Sequence, residues 1–307
     1  MKRILLVLVL CLSACSSSGE TVKFGYIADF NGASLMAIAQ EKGLWAKNGL
    51  TAEPKVFTNG PLQVQALGAG NLDFGYVGPG ALWLPPSGKA KIVAVNSIAQ
   101  ADRVIAQKGV TSLKGLKVGV PEGTSGDMIL RLALARQGLT IDDVQKVVMD
   151  PPTIVTAFAN KQIDAAGLWY PLIDTIKKQV PDLVELAKNE DFYPETTFPS
   201  AFVARNEVDP EMARKVVKVL REANDLRAAD TKAAVATTAA FLKVPADKLA
   251  SEAANVKLMT TAELDAKTAD GTVVGWLASM NRLFTSFGKL KGDVDPKTYY
   301  LGDVYSG

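Results

Sequence analysis

Six short loops rich in glycine, proline, small hydroxyls and acids carry the residues best suited to chemistry. They are ADFNGAS (Ala28 to Ser34), FTNGPLQ (Phe57 to Gln63), VGPGA (Val77 to Ala81), PEGTSGD (Pro121 to Asp127), MDPPT (Met149 to Thr153) and GLWYP (Gly167 to Pro171). Each follows an apolar run that reads as a strand, and ligands of open α/β sheets gather at the carboxyl ends of strands. Glycine and small side chains there let backbone N–H groups approach a ligand closely. Any one of these loops could be an ordinary turn between strand and helix; six of the same kind point to a binding cleft. The residues expected to line it are Asp29, Phe30, Asn31, Gly60, Gly78, Pro79, Gly80, Thr124, Ser125, Gly126, Pro152, Trp169 and Tyr170. The aromatic pair would form a wall with Trp169 as the contact, unless Trp169 plugs the core beneath a hinge.

The chemistry of that cleft is bounded by what the chain lacks. It contains no histidine, which removes imidazole acid–base catalysis, serine–histidine and cysteine–histidine nucleophile pairs, and histidine metal sites. No Asp/Glu cluster has the spacing of a calcium-binding loop, and neither a metal nor a cofactor is expected. Carboxylates at the loops are numerous: Asp29, Glu122, Asp127 and Asp150, with Asp102 near a hinge and Arg103 the one nearby base. Some of these, Asp127 above all, read as helix caps.

The elements that must hold the loops alternate in type. VKFGYIA, AEPKVF, LDFGYVG and AKIVAVNSI read as strands of a first lobe, with helices over Ser34 to Gly49 and from Pro61 between them. The series restarts near Ala101 with strands at Leu116 to Val120, VQKVVMD and DAAGLWYP, and a helix presenting Ile129, Leu132 and Ala133. A third restart, SAFVARNEV, leads into helices at Pro210 to Ala229, Thr231 to Leu242, Pro245 to Ala254 and Thr272 to Gly288. Alternation of this kind predicts an α/β fold with largely parallel sheets.

Ahead of this body lies a leader. Lys2 and Arg3 precede an apolar run from Ile4 to Leu12, the layout of a secretory signal too short to span a bilayer. Leu12-Ser13-Ala14-Cys15 resembles the lipobox of bacterial lipoproteins, which implies cleavage before Cys15 and lipidation of that cysteine; an ordinary cut near Ala14 is the alternative. Cys11 and Cys15 are the chain's 2 cysteines, so the mature fold has no internal disulfide to rely on. Losing Lys2 and Arg3 takes the 34 basic residues to 32, equal to the 32 acidic ones, and gives no electrostatic reason to expect nucleic acid. The Ser16 to Gly19 run suits a flexible tether.

Three segments carry a more specific likeness: GPLQVQALGAGNLDFGYVGPGA, SLKGLKVGVPEGTSGDMILRLALARQGLTIDDV and DPPTIVTAFANKQIDAAGLWYPLID. Together they resemble the taurine, alkanesulfonate and nitrate family of substrate-binding proteins of ABC transporters, over Val22 to about Gly288. The resemblance implies a two-lobed periplasmic-binding-protein fold of type II, each lobe a mostly parallel sheet flanked by helices, joined by two crossing strands near Ala101 to Ala106 and Ser200 to Arg205. The implied parts are a signal peptide (1–14), a lipidated tether (15–21), lobe 1 (22–102 and 201–307) and lobe 2 (103–200). At the second crossing this chain has Ser200, which is also expected to contact the ligand, where a taurine binder would hold the ammonium with an aspartate.

The function implied is the extracytoplasmic, lipid-anchored capture of a small polar organic solute for an ABC permease in the inner membrane, by a monomer with no catalytic activity. Family resemblance favours taurine or another sulfonate; the acidic loops favour a cationic or neutral nitrogen-rich solute such as a guanidino or amide compound. An enzyme of the pyrimidine-precursor synthase type is the rival from another class, disfavoured by the missing histidine.

Overall fold

The computed structural model describes residues 19–306; the leader and Cys15 lie outside the described residues. The first βα units form as the apolar runs require. Strand β1 (Glu20–Ile27) leads into helix α1 (Phe30–Glu41), which Asp29 caps by accepting from Gly32 N at 2.7 Å. The helix therefore starts four residues before Ser34, at the loop itself. Gly43, at φ 65°, ends the run and a short α2 (Leu44–Lys47) follows. Then come β2 (Leu50–Phe57), α3 (Gly60–Gly68) capped by Asn59, β3 (Phe74–Val77) and β4 (Lys91–Ala99).

After a two-residue crossing at Gln100 and Ala101, the chain builds β5 (Asp102–Ala106), β6 (Lys117–Val120), α4 (Ser125–Arg136), β7 (Gln145–Val148), α5 (Pro151–Ala159), β8 (Ala165–Trp169), α6 (Leu172–Lys177) and β9 (Val184–Lys188). It returns through β10 (Pro199–Ala204) to a helical half: α7 (Pro210–Ala229), α8 (Thr231–Leu242), α9 (Asp247–Ala254), a two-residue β11 (Val256–Lys257), α10 (Thr261–Ala269), α11 (Thr272–Ser286) and α12 (Gly302–Ser306).

Two sheets result, with strand orders β11-β4-β10-β3-β1-β2 and β7-β6-β8-β5-β9. Both are mixed rather than mostly parallel. The βα units pair in parallel (β1 with β2 and β3, β6 with β7 and β8), whereas the strands next to the crossings, β10 and β5, run antiparallel to every neighbour. A strand that has just crossed between lobes enters its sheet from the far end, which reverses its direction. Strands β3, β5, β8 and β10 are buried along their whole length, as sheets covered on both faces require.

The core of lobe 1 centres on Phe24, whose ring lies 5.7 Å from Trp45, 6.3 Å from Phe74 and 5.8 Å from Phe202. Lobe 2 splits into two smaller clusters, one on each side of its sheet, around Phe158 and Ile173 and around Ile129 and Val118. Such separate cores let the lobes hold their shape while the segments between them bend.

The lobes meet tightly. A side chain at Gly80 would put its Cβ 2.1 Å from Ser125 N, so only glycine admits this approach. Across the same seam Gly80 N donates to Ser125 Oγ (3.3 Å) and Trp83 Nε1 to Gly123 O (3.2 Å). Lys289 reaches Glu122 at 3.0 Å, and on the opposite side Ser251 of α9 donates to Asp174 of α6.

Candidate functional site

A partly open cavity lies between the lobes at the ends of β1, β3, β4 and β8. It is lined by Ile27, Asp29, Asn31, Gly60, Tyr76, Gly78, Pro79, Ala81, Ala99, Ala101, Asp102, Thr124, Ser125, Trp169 and Glu252. Among the described residues no lysine or arginine lines it. An apolar groove adjoins it, sharing Ile27, Asp29 and Trp169 and adding Val56, Phe57, Pro151, Pro152 and Leu172.

Of the residues singled out in the sequence, Asp29, Asn31, Gly60, Gly78, Pro79, Thr124, Ser125 and Trp169 stand together on the cavity, and Pro152 stands on the groove. Five do not line the cavity. Phe30 is fully buried in the lobe 1 core. Gly80 is consumed by the lobe contact. Gly126 packs so closely on β8 that a Cβ would lie 2.2 Å from Gly167 O, and its amide already donates to Thr124 Oγ1. Tyr170 turns its hydroxyl to Glu185 (3.0 Å) and Lys177 (2.6 Å). Ser200 lies beneath the floor, bonded to Ser97 Oγ at 2.9 Å and to Asn96 Nδ2 at 3.3 Å.

The acids also sort themselves. Glu122 pairs with Lys289 and Lys146, Asp127 bonds Arg131 and Gly123 N, and Asp150 caps α5. Arg103 faces away from the cavity, holding Glu185 at 3.1 Å and Asn255 Oδ1 at 2.8 Å. Asp29 and Asp102 remain, joined by Glu252, which the loop reading did not contain. Glu252 comes from α9 and accepts from Phe30 N (2.5 Å) and Asn31 N (3.0 Å) at the first turn of α1. Asp102 accepts from Asn189 Nδ2 at 3.0 Å and donates its own N–H to Asn189 Oδ1 at 2.7 Å. No group of three or more carboxylate, cysteine or histidine side chains among the described residues could hold a metal ion.

Burial dominates the electrostatics. It raises the Asp29 carboxyl to about 6, against lowering contacts from Gly32 N–H and the Trp169 side chain and a further rise from the charge of Asp102. Burial likewise raises Asp102 to about 6 despite its bond to Asn189. Glu252 is pushed well above the usual carboxylate range by burial and then by Asp29, although two backbone N–H groups work against this. Beneath the floor, Arg227 is a fully buried cation, bonded to Ser34 Oγ (3.1 Å), Asn96 O (2.9 Å) and Asn224 Oδ1 (2.8 Å), with burial lowering it to about 10. It balances part of the acid charge from behind without reaching the cavity.

Two mixed α/β sheets with a carboxyl-bearing cavity between them define a two-lobed binding protein of the periplasmic type. A model of the NMT1-like family matches residues 16–243, and the chain belongs to that family. A Brucella abortus (strain 2308) protein, provisionally named a binding protein, is 58% identical over 307 residues, covering 98% of this chain and 96% of its own. The taurine-binding periplasmic protein of Escherichia coli (strain K12) is 26% identical over 148 residues, 46% of each chain. Among solved structures, the aliphatic sulphonate binding protein SsuA of Escherichia coli superposes with TM-score 0.70 at 21% identity, covering 94% of this chain and all of that one. The nitrate-binding protein NrtA of Synechocystis PCC 6803 gives TM-score 0.72 at 18% identity, covering 94% and 87%. The protein is thus a substrate-binding protein related to sulfonate, taurine and nitrate binders, and not an enzyme.

Proposed function

We propose that this chain captures a small cationic or nitrogen-rich organic solute between its lobes and delivers it to an ABC permease. The observation that carries the ligand class is the lining: three buried carboxylates, Asp29, Asp102 and Glu252, and no base among the described residues. Buried carboxyls raised by desolvation regain their ionised form when a cation enters, so the site has most to gain from an ammonium, guanidinium or amidine-like group.

Taurine or another sulfonate, favoured by the names of the relatives, fits less well. Taurine's ammonium would meet the carboxylates, but its sulfonate needs donors. The α1 amides are taken by Glu252 and Asp29, Gly126 N by Thr124, and Pro151 and Pro152 at the start of α5 have no N–H to give. A thermal-shift screen of the mature protein against amines, guanidines, amides, sulfonates and nitrate tests this. A ligand at 100 times its dissociation constant adds about 2.7 kcal/mol. Stabilisation by a cation is the expected result; stabilisation by simple sulfonates or nitrate alone overturns the class.

The leader supports a lipid tether at Cys15. Cys15→Ser should move the protein from the membrane to the soluble fraction, and failure of the unmutated chain to take up labelled fatty acid removes the anchor. Among the described residues no helix is long and apolar enough to cross a membrane.

A further inference from the structure

A helix start presents N–H groups and a partial positive charge, and so receives anions readily. In lobe 1 the start of α1 opens on the solute cavity, yet its first two amides are already spoken for. They donate to the two carboxylate oxygens of Glu252, at 2.5 Å from Phe30 N and 3.0 Å from Asn31 N. This acid is 222 residues away in the chain from Phe30, it is only 2% exposed, and it belongs to the cavity lining. The third amide, Gly32 N, goes to Asp29. A carboxylate reaching from another helix to fill both orphan amides is more than a local cap: capping side chains ordinarily come from the residue next to the helix.

We infer that Glu252 is a resident carboxyl that occupies the first amides of α1 and, ionised when a cation enters, sets the charge selectivity of the cleft. It fills the place where the acidic group of a solute would dock, and it turns the same spot into one end of a cation site with Asp29. The position of α9 is fixed by two further contacts, Ser251 to Asp174 of lobe 2 and Asn255 to Arg103 at the crossing, so the carboxylate is delivered to the amides by a helix anchored on both lobes. The inference rests on the cation reading above in taking this cavity as the solute site.

Sulfate at constant ionic strength against chloride is the probe for the vacated amides, and methylguanidinium is the probe for the cation site. Glu252→Ala should bind sulfate saturably and at least ten times more tightly than the unmutated protein, read by calorimetric titration and thermal shift. A folded Glu252→Ala protein with the same sulfate response as the unmutated one overturns the inference. Should alanine prevent folding, Glu252→Gln decides, because it keeps the shape and an acceptor oxygen while removing the charge. A tenfold or greater loss of methylguanidinium affinity with a melting temperature no lower than that of the unmutated protein supports the inference, and unchanged affinity overturns it. If the unmutated protein binds sulfate or sulfonates and no cation, the proposed ligand class falls by itself; if it binds the cation and Glu252→Ala gains no sulfate, the role of Glu252 as occupant of the α1 amides falls alone.

Discussion

Asp29 does two things at once, and they can be separated. Its Oδ1 caps α1 through Gly32 N, and its carboxylate faces the cavity. Asparagine caps a helix start about as well as aspartate, so Asp29→Asn keeps the first role and removes the charge. For a cationic solute the lost charge-assisted hydrogen bond should weaken binding about ten- to a hundred-fold by calorimetry; tighter binding by Asp29→Asn would eliminate the cation. Trp169 lines both the carboxyl-bearing cavity and the adjoining apolar groove and is 8% exposed, so ligand should perturb its emission directly. Trp83, by contrast, donates across the lobe seam to Gly123 O and reports closure. Trp169→Phe should abolish the change due to ligand contact while a closure-dependent change survives, and Trp83→Phe should do the reverse. A ligand response that ignores Trp169→Phe altogether would place the solute elsewhere.

At the scale of elements, what could be read from the sequence was what local signals encode. Helix α7 begins at the Asp209-Pro210 cap and gives way to α8 at Asp230-Thr231, because capping is decided within four residues. Helix α1 starts at the Asp29 cap and not at Ser34, and α10 carries a capping box, Thr260 with Glu263, that was legible and unread. Glycine and proline loops marked where the cavity would be, but not which acids would face it: Glu122 and Asp127 look like Asp29 in sequence and differ only in finding Lys289 and Arg131 in space. Glu252 had no local signal, since its partners Phe30 and Asn31 lie 222 and 221 residues away along the chain. That same helix, α9, is bonded to lobe 2 through Ser251 and Asp174. Removing this clasp with Ser251→Ala should speed ligand release several-fold in stopped-flow dissociation and leave the ligand-free melting temperature within about two degrees, since the bond forms between lobes rather than within a core. Unchanged release would make the clasp incidental to closure.

The whole molecule stores an electrostatic cost at its centre, and pH reveals it. The groups facing the cavity are Asp29, Asp102, Glu252 and the Tyr76 phenol, with Arg227 beneath the floor and Arg103 and Glu190 at the crossing behind Asp102. Asp29 and Asp102 lie at about 6 in the folded chain against 3.8 for an ordinary aspartate, and Glu252 is raised further in the same direction. Between about pH 4 and 6 the native state therefore binds more protons than the unfolded chain, and the contribution of these groups to stability is present at low pH and lost as pH rises through 6. The outer carboxylates with lowered values, such as Glu122 and Glu185, are ionised both folded and unfolded above about pH 5.5 and contribute no slope there. Lowering the pH of the ligand-free protein from 7.5 to 5.5 should thus raise its melting temperature, and Asp29→Asn should raise it at pH 7.5 and flatten the slope. A bound cation reverses the sign, because protons then compete with the ligand: affinity should fall by up to about tenfold per pH unit below 6 for each carboxyl that must ionise. Melting curves and titrations over this window, with and without the solute, give both slopes; a ligand-free protein that loses stability toward pH 5.5 while its solute affinity stays level would show that the three carboxylates do not face the ligand as a charged set.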